Sequence, residues 1–508
     1  MRNSVLCYLE DTAKKFPDKI AFADEGTALS FREFQKRAMR VGTCLAKRGM
    51  FRKPVIVYMK KSPDLLAAFF GVVYSGCFYV PIDEEMPKRR IELILQNTQA
   101  EILICDEEMR AEAESLSFEG NVLLYTECQK TEVDEKLLAG IRSRVLDVDP
   151  VYIFYTSGST GIPKGVVGCH RGIIDYTEQL SEVLGFDETC VFANQTPLYW
   201  DASMKEVYAT LKHGATTYLV PKSLFMFPVK LVEYLNRYQV NTICWVVSAL
   251  TMISAFGTFE IVQPEYLKLV AFCGEVFPVK QFNIWKKQLP DAEFYNLYGP
   301  TETTGVSTYY HANRLFGENE VIPIGRAFAN TQILLLDEAG QKVQDGEAGE
   351  ICIRGSGVTL GYYHDMDKTR QVFVQNPENP YYIDLMYRTG DLARKDEEGN
   401  FVFVSRQDHQ IKHMGHRIEL GEIEADVGLV EGVNVCCCIY AKEKNKIVLF
   451  YVGDLSKAAL TRELKARLPR YMLPNAIFQL EDMPLTINGK MDRMRLQEIY
   501  KDSVSRKK

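Results

Sequence analysis

No long apolar run opens this chain. The first sixteen residues, MRNSVLCYLEDTAKKF, are broken by charge and lack the hydrophobic centre of a secretory signal. One uncharged stretch, Leu65 to Ile82, is long enough to raise the question of a membrane span. It is interrupted by Gly71, Ser75, Gly76 and Pro81, so it reads as a buried helix from Pro63 to about Tyr74, a glycine turn and a short buried strand. No membrane insertion is expected. An excess of positive charge is also missing: 60 Lys and Arg stand against 67 Asp and Glu, a net charge of −7. Without a basic field there is nothing to hold a nucleic-acid backbone, and no nucleic-acid partner is expected. Thirteen cysteines are present, but no CxxC pair with partner histidines, which argues against a structural zinc site. Cys244, Cys352 and Cys436–Cys437–Cys438 lie in apolar runs, the pattern of buried reduced thiols in a cytoplasmic protein. Internal repeats and low-complexity segments are absent as well.

What remains is ordinary globular composition, with 46% hydrophobic and 25% charged residues in 508, enough for several domains. Short apolar strands alternate with amphipathic helices over most of the length. Val55–Met59 precedes Leu65–Tyr74, Thr216–Val220 precedes Val229–Tyr238, and Thr242–Val247 precedes a further helix. That alternation predicts α/β architecture with a substantial parallel sheet. From Ile333 to Gly355 the pattern turns β-rich, with glycine-containing turns that suggest an antiparallel sheet or small barrel. A small α+β module is expected from residue 406 to 508, following a core over residues 1 to 405.

Four segments carry chemistry. The first, YIFYTSGSTGIPKGVV at residues 152–167, joins a strand to a loop of small and hydroxyl residues ending in Lys164. Such a loop lets backbone N–H groups close on an anion while the lysine adds charge. It is not a Walker A loop, because no Gly precedes Lys164. Alone, it could also be a flexible Ser/Gly turn. The second, NLYGPTETT (296–304), offers a flat ring in Tyr298 and an amide in Asn296, and is otherwise a surface turn. In the third, YRTGDLARKDEEGNFVFVSRQD (387–408), the carboxylate of Asp391 could accept two hydroxyls of a ribose. The fourth, PLTINGKMDR, places Lys490 after an Asn-Gly turn, where a solvated cation would be the plain alternative.

Together and in this order, from about Ile20 to Arg493, these segments resemble the adenylate-forming superfamily, which includes acyl-CoA synthetases, luciferases and the adenylation domains of nonribosomal peptide synthetases. The resemblance implies two α/β subdomains and a β-rich subdomain, followed by a small mobile α+β C-terminal domain. It implies that Thr156, Ser157, Gly158, Ser159, Thr160 and Gly161 cradle the phosphates of ATP. Gly274, Asn296, Tyr298, Gly299, Asp391 and Arg406 would contact the rest of the nucleotide. Tyr298 would stack on adenine, Asn296 read its amino group and Asp391 hold the ribose. Thr301 would touch the α-phosphate, and Glu302 would hold magnesium (Mg2+). Lys164 and Lys490 would act on charge developing as pyrophosphate departs. Asp408 would be the hinge, in a segment where Ser405 replaces the family's usual Gly. Gly415 would approach the site in the second pose. Glu419 and Glu422 are expected to serve the opening of the following helix.

TPLYWDASMKEVYATL (196–211) is similar to the FDxS segment of amino-acid-activating members, with Trp200 for Phe. There Asp201 would pair with a substrate α-ammonium; an N-cap role is the alternative. By the same resemblance the pocket is lined by Asp201, Ala202, Lys205, Cys244, Ala271, Cys273, Leu297, Gly305 and Val306. If Lys205 faces inward it asks for an anionic partner, such as the side chain of an acidic amino acid; otherwise it snorkels outward or pairs with Glu206 or another acid. FCGEVFP (272–278) is instead similar to D-alanine–carrier protein ligases. The expected reaction is aminoacyl-adenylate formation from ATP and transfer to the thiol of a separate phosphopantetheinyl carrier protein, or of coenzyme A. An acyl- or aryl-CoA ligase and a silent nucleotide-binding scaffold are the rival readings.

Overall fold

A computed structural model describes residues 2–158, 162–407, 410–485 and 491–505. The predicted site residues Ser159, Thr160, Gly161, Asp408 and Lys490 lie outside the described residues. The chain divides into two compact units. The first comprises Met1–Glu84, Thr98–Phe154 and Gly165–Gln407; the second comprises Glu85–Asn97, Tyr155–Lys164 and Asp408–Lys508.

The first unit holds two large sheets with helices around them. In one, the strands run in the order Asn121–Leu124, Ile102–Cys105, Pro54–Tyr58, Phe78–Ile82, Pro150–Thr156 and Lys164–Cys169. Its first four pairings are parallel. The uncharged stretch flagged in the sequence forms most of the helix Pro63–Tyr74 and the strand Phe78–Ile82, both buried except at Asp64. Ser62 caps the helix by accepting the Leu65 N–H at 3.2 Å, and Pro63 follows, where its missing N–H costs nothing. This helix packs on Phe31–Ala46, which opens with a reciprocal Ser30–Glu33 capping box. The two backbones meet through paired glycines. A Cβ on Gly71 would stand 2.4 Å from the Val41 Cβ, and one on Gly42 would stand 2.6 Å from the Tyr74 Cβ.

The second sheet has nine strands and positions the site. Its order is Arg326–Ala327, Thr308–His311, Glu293–Tyr298, Leu269–Cys273, Thr242–Val246, Val191–Asn194, Thr216–Leu219, Ile20–Ala23 and Ala28–Ser30. Central pairings are parallel and the edges antiparallel. In such sheets ligands bind beyond the carboxyl ends of the strands, and here Val246, Cys273 and Tyr298 are those ends. A five-stranded antiparallel sheet follows, built from Thr331–Leu336, Gly349–Gly355, Leu385–Lys395, Phe373–Gln375 and Phe401–Arg406. The β-rich segment read from the sequence is therefore a sheet.

In the second unit a hairpin, Gln410–His413 with His416–Glu419, leads into the helix Leu420–Gly428. A three-stranded sheet of Val433–Ala441, Lys446–Gly453 and Ala476–Gln479 packs with the helices Lys457–Arg467 and Arg493–Ser505. Among the described residues no helix is long and apolar enough to cross a membrane. All thirteen cysteines are free thiols and none is exposed.

Candidate active site

Three of the nucleotide residues predicted from the sequence, Tyr298, Asp391 and Arg406, meet in the first unit. Asp391 and Arg406 are cross-strand neighbours. Arg406 donates from Nη1 to Asp391 Oδ1 at 2.5 Å and from Nη2 to the Thr389 carbonyl at 3.1 Å. The other carboxylate oxygen, Oδ2, accepts the Tyr298 hydroxyl at 2.6 Å. Tyr298 is buried, and burial together with the Asp391 charge drives its phenol well above the ordinary tyrosine value, so it remains a donor. The resemblance gave each of these residues its own duty on the nucleotide. The structure shows in addition that they form one hydrogen-bonded chain, a contact no motif announces.

Asn296, two residues earlier on the same strand, donates its amide N–H to the Pro323 carbonyl at 2.8 Å. That bond fixes the side chain so that Oδ1 is the atom left to accept an amino group. This arrangement fits adenine. Gly299 then passes so close to the returning chain that a Cβ there would stand 2.7 Å from the Ser307 nitrogen. The turn brings Thr301 and Glu302 into the short helix Thr301–Thr303. Glu302 is fully buried, and its Oε1 accepts the Tyr362 hydroxyl at 2.8 Å. Anionic carboxylate oxygen is the donor type a hard divalent cation prefers, so Glu302 fits the magnesium role.

The residues predicted to line the amino-acid pocket lie in the same unit. Cys244, Ala271, Cys273 and Leu297 sit on three adjacent strands, paired Cys244 with Ala271 and Cys273 with Leu297. Cys244, Ala271, Leu297 and Val306 share one buried apolar cluster, with Cys273 packed against it. Gly274 follows at φ +91°. Asp201 and Ala202, both half-buried, begin a short helical turn, Asp201–Ser203, ahead of the helix Met204–His213. Neither helix shows a side-chain cap, so Asp201 is not there as an N-cap. Gly305 abuts it, since a Cβ there would be 3.5 Å from Asp201 Oδ2. Burial raises the Asp201 pKa, opposed by the Lys205 charge and a hydrogen bond from Thr301.

Lys205 does not snorkel outward. It is 2% exposed, and its Nζ donates to the Ala202 carbonyl at 3.0 Å. Burial works against the ammonium, but Cys273, Glu206, Cys244 and Asp201 together hold it above the ordinary lysine value. The sequence reading missed the polar cluster beneath. Glu206 is fully buried and accepts the Asn194 amide at 3.4 Å, while its Oε1 has no partner among the described residues. Burial pushes its carboxyl up to about 7. Burial likewise pushes the Lys61 ammonium, which donates to the Asn194 carbonyl at 3.0 Å, down to about 7. The signal was available: a Lys-Glu pair inside an otherwise buried helix.

The phosphate loop belongs to the second unit, together with Lys164. The Thr156 hydroxyl is buried without a partner among the described residues, as a group awaiting a phosphate oxygen would be. Ser157 Oγ donates to the Arg417 carbonyl at 2.8 Å. The Gly158 N–H donates to Glu422 Oε2 at 3.0 Å, and Glu422 also accepts from Arg90. Glu419 and Glu422 do open the helix Leu420–Gly428, at its N-cap position and in its first turn, but each has another partner as well. The Glu419 side chain makes no cap hydrogen bond and accepts from Gln410, while Glu422 serves as an anionic partner of the loop. Arg90 was not foreseen.

The model of the AMP-binding enzyme family matches residues 9–363. The chain belongs to this family of AMP-binding enzymes. It is 32% identical over 498 residues to tyrocidine synthase 1 of Brevibacillus parabrevis, covering 96% of the chain and 44% of that protein. It is 31% identical over 523 residues to D-alanine--D-alanyl carrier protein ligase of Bacillus licheniformis, covering 96% of the chain and 99% of that protein. The chain thus spans less than half the length of the synthase and nearly all of the ligase. Among solved structures it is similar to the adenylation domain AlmE of Vibrio cholerae in complex with glycyl-adenosine-5'-phosphate, with a TM-score of 0.84 and 21% identity, covering 99% of this chain and 98% of that one. That likeness shows the fold.

Proposed function

We propose that the enzyme transfers the AMP portion of ATP to an amino acid's carboxylate with release of pyrophosphate, then passes the aminoacyl group to the phosphopantetheine thiol of a separate carrier protein with release of AMP. Coenzyme A is the alternative acceptor. The observation that carries the amino-acid reading is Asp201, a carboxylate set in an apolar pocket beside Gly305 and poorly solvated. Such a carboxylate needs a cation, and an α-ammonium supplies one. A fatty or aryl acid would leave it with only the Lys205 charge and hydrogen bonds from its own neighbours. The carrier-protein step is supported by the likeness to the D-alanyl carrier protein ligase along the whole chain.

In this reading Asp201 orients the amino acid so that its carboxylate meets the α-phosphate. Asn296, Tyr298, Asp391 and Arg406 hold the adenosine, and Thr301 contacts the α-phosphate. Lys164 and the loop residues Thr156, Ser157 and Gly158, followed by Ser159, Thr160 and Gly161, restrain the departing pyrophosphate. Lys490 neutralises charge on the reacting oxygens. Mg2+ held by Glu302 would spread phosphate charge. Two substrates suit the pocket: an acidic amino acid, favoured by the inward-facing Lys205, and D-alanine, favoured by Cys273 and the likeness to the D-alanyl ligase. The test is ATP–pyrophosphate exchange with all proteinogenic amino acids, D-alanine, β-alanine and several aryl and fatty acids. Exchange confined to amino acids is expected. Exchange only with acids lacking an amino group would remove the role of Asp201, and ATP binding without exchange on any acid would favour a silent scaffold.

A further inference from the structure

Tyr176 stands on the helix His170–Leu184, a segment none of the sequence motifs reaches. Its side chain is 5% exposed and joins the apolar cluster that contains Cys244, Ala271, Leu297 and Val306. Its hydroxyl has no hydrogen-bond partner among the described residues. Buried hydroxyls are nearly always paired, so an unpaired phenol in a pocket wall marks where a ligand atom belongs. The charges that act on this phenol, after burial itself, are those of Asp201, Cys244, Glu206 and Cys273, which surround the amino-acid site. Lys205 is in the same condition. Its ammonium has three donors, yet it makes one hydrogen bond, to Ala202, and has no carboxylate at ion-pair distance among the described residues.

Two buried donors thus share the same four neighbouring groups, the phenol with no acceptor among the described residues and the ammonium with only the Ala202 carbonyl. A hydrocarbon side chain would add no acceptor for either. A carboxylate accepts several hydrogen bonds and compensates the lysine charge at the same time. We propose that Tyr176 is a specificity-determining residue whose phenol O–H donates, alongside the Lys205 ammonium, to an oxygen of the substrate's side-chain carboxylate. The proposal rests on the acidic-substrate reading above and adds a residue to it. Sites built around hydrogen bonds reject analogues that lack the partner group, because their own polar atoms are then stranded.

The experiment compares wild type with Tyr176→Phe in ATP–pyrophosphate exchange on glutamate, aspartate, glutamine and D-alanine. A melting curve without amino acid is run alongside. The variant should raise KM for the preferred acidic amino acid about tenfold, with kcat within about twofold, since one charge-assisted hydrogen bond is lost. Preference for the acidic substrate over D-alanine should shrink. The Tm without substrate should not fall, because the deleted hydroxyl had no partner to lose. An unchanged KM for an acidic amino acid that wild type does activate would overturn the proposal and leave the substrate reading standing. A wild type that activates D-alanine and no acidic amino acid would overturn both.

Discussion

At the residue scale the decisive feature is that the groups assigned to the nucleotide constrain one another. Asp391 receives Arg406 on one oxygen and Tyr298 on the other, so its carboxylate is fixed before any ribose arrives. Removing one of these ties should cost nucleotide affinity while the fold survives. Tyr298→Phe is expected to raise KM for ATP roughly tenfold, about the value of one hydrogen bond to a charged group, and to lower Tm as well, since buried Asp391 loses a donor. Isothermal titration with ATP would check it, and unaltered affinity would show that the phenol bond has no part in binding. Glu206 gives a prediction in pH. Its carboxyl is raised from 4.5 to about 7, so the folded protein keeps this proton to higher pH than the unfolded chain. The stability it contributes is complete below about pH 4.5 and is lost as pH climbs through about 7. Glu206→Gln should therefore flatten the fall of Tm between pH 5 and pH 7.5. Melting curves that stay parallel to wild type would refute it. Above pH 7 the lowered Lys61 acts in the opposite sense, which confines the Glu206 test to the acid side.

At the scale of elements, the paired glycines between the helices Phe31–Ala46 and Pro63–Tyr74 set the closest approach in the first unit. Gly71→Ala would drive a methyl group into Val41, and helix backbones are poorly able to retreat from one another. A loss of about 1–3 kcal/mol is expected, read as a lower urea midpoint with an unchanged slope. A stabilised variant would mean the helices can separate freely. These elements were the most legible part of the sequence. The apolar run opening at Pro63 marks the second of these helices, and each β–α alternation named in the sequence corresponds to a strand and a helix. The small-residue pocket wall was legible too, through its motif resemblance. What could not be read were contacts between distant segments. Nothing near Tyr176 signals a pocket, because its significance comes from strands about a hundred residues further along. Arg90 and Glu422 are likewise separated by 332 positions, and each alone resembles a solvated helix charge. Lys205 could be read either way, since the outward and inward rotations of a helix give one sequence pattern; burial settles which holds.

At the scale of the whole molecule, the two half-reactions should be separable. In the mechanism proposed above, Lys490 acts in adenylation and leaves thioester formation to other groups. Lys490→Ala should lower pyrophosphate exchange by at least about a hundredfold, while transfer from preformed aminoacyl-adenylate to a thiol largely survives. Rapid-quench measurement of each step would decide, and equal loss of both would contradict the division of labour.

The register of a single strand pair carries a last consequence. Asn296, Tyr298, Asp391 and Arg406 all belong to the unit that runs to Gln407. In the proposed mechanism, with a pivot at Asp408, the hinge would come after all four of these residues in the chain. The purine end of the intermediate would then be a moored cargo while the residues beyond the pivot move. Spontaneous escape of an aminoacyl-adenylate would be set chiefly by that mooring, and the wait for a thiol could be long without the intermediate drifting into water.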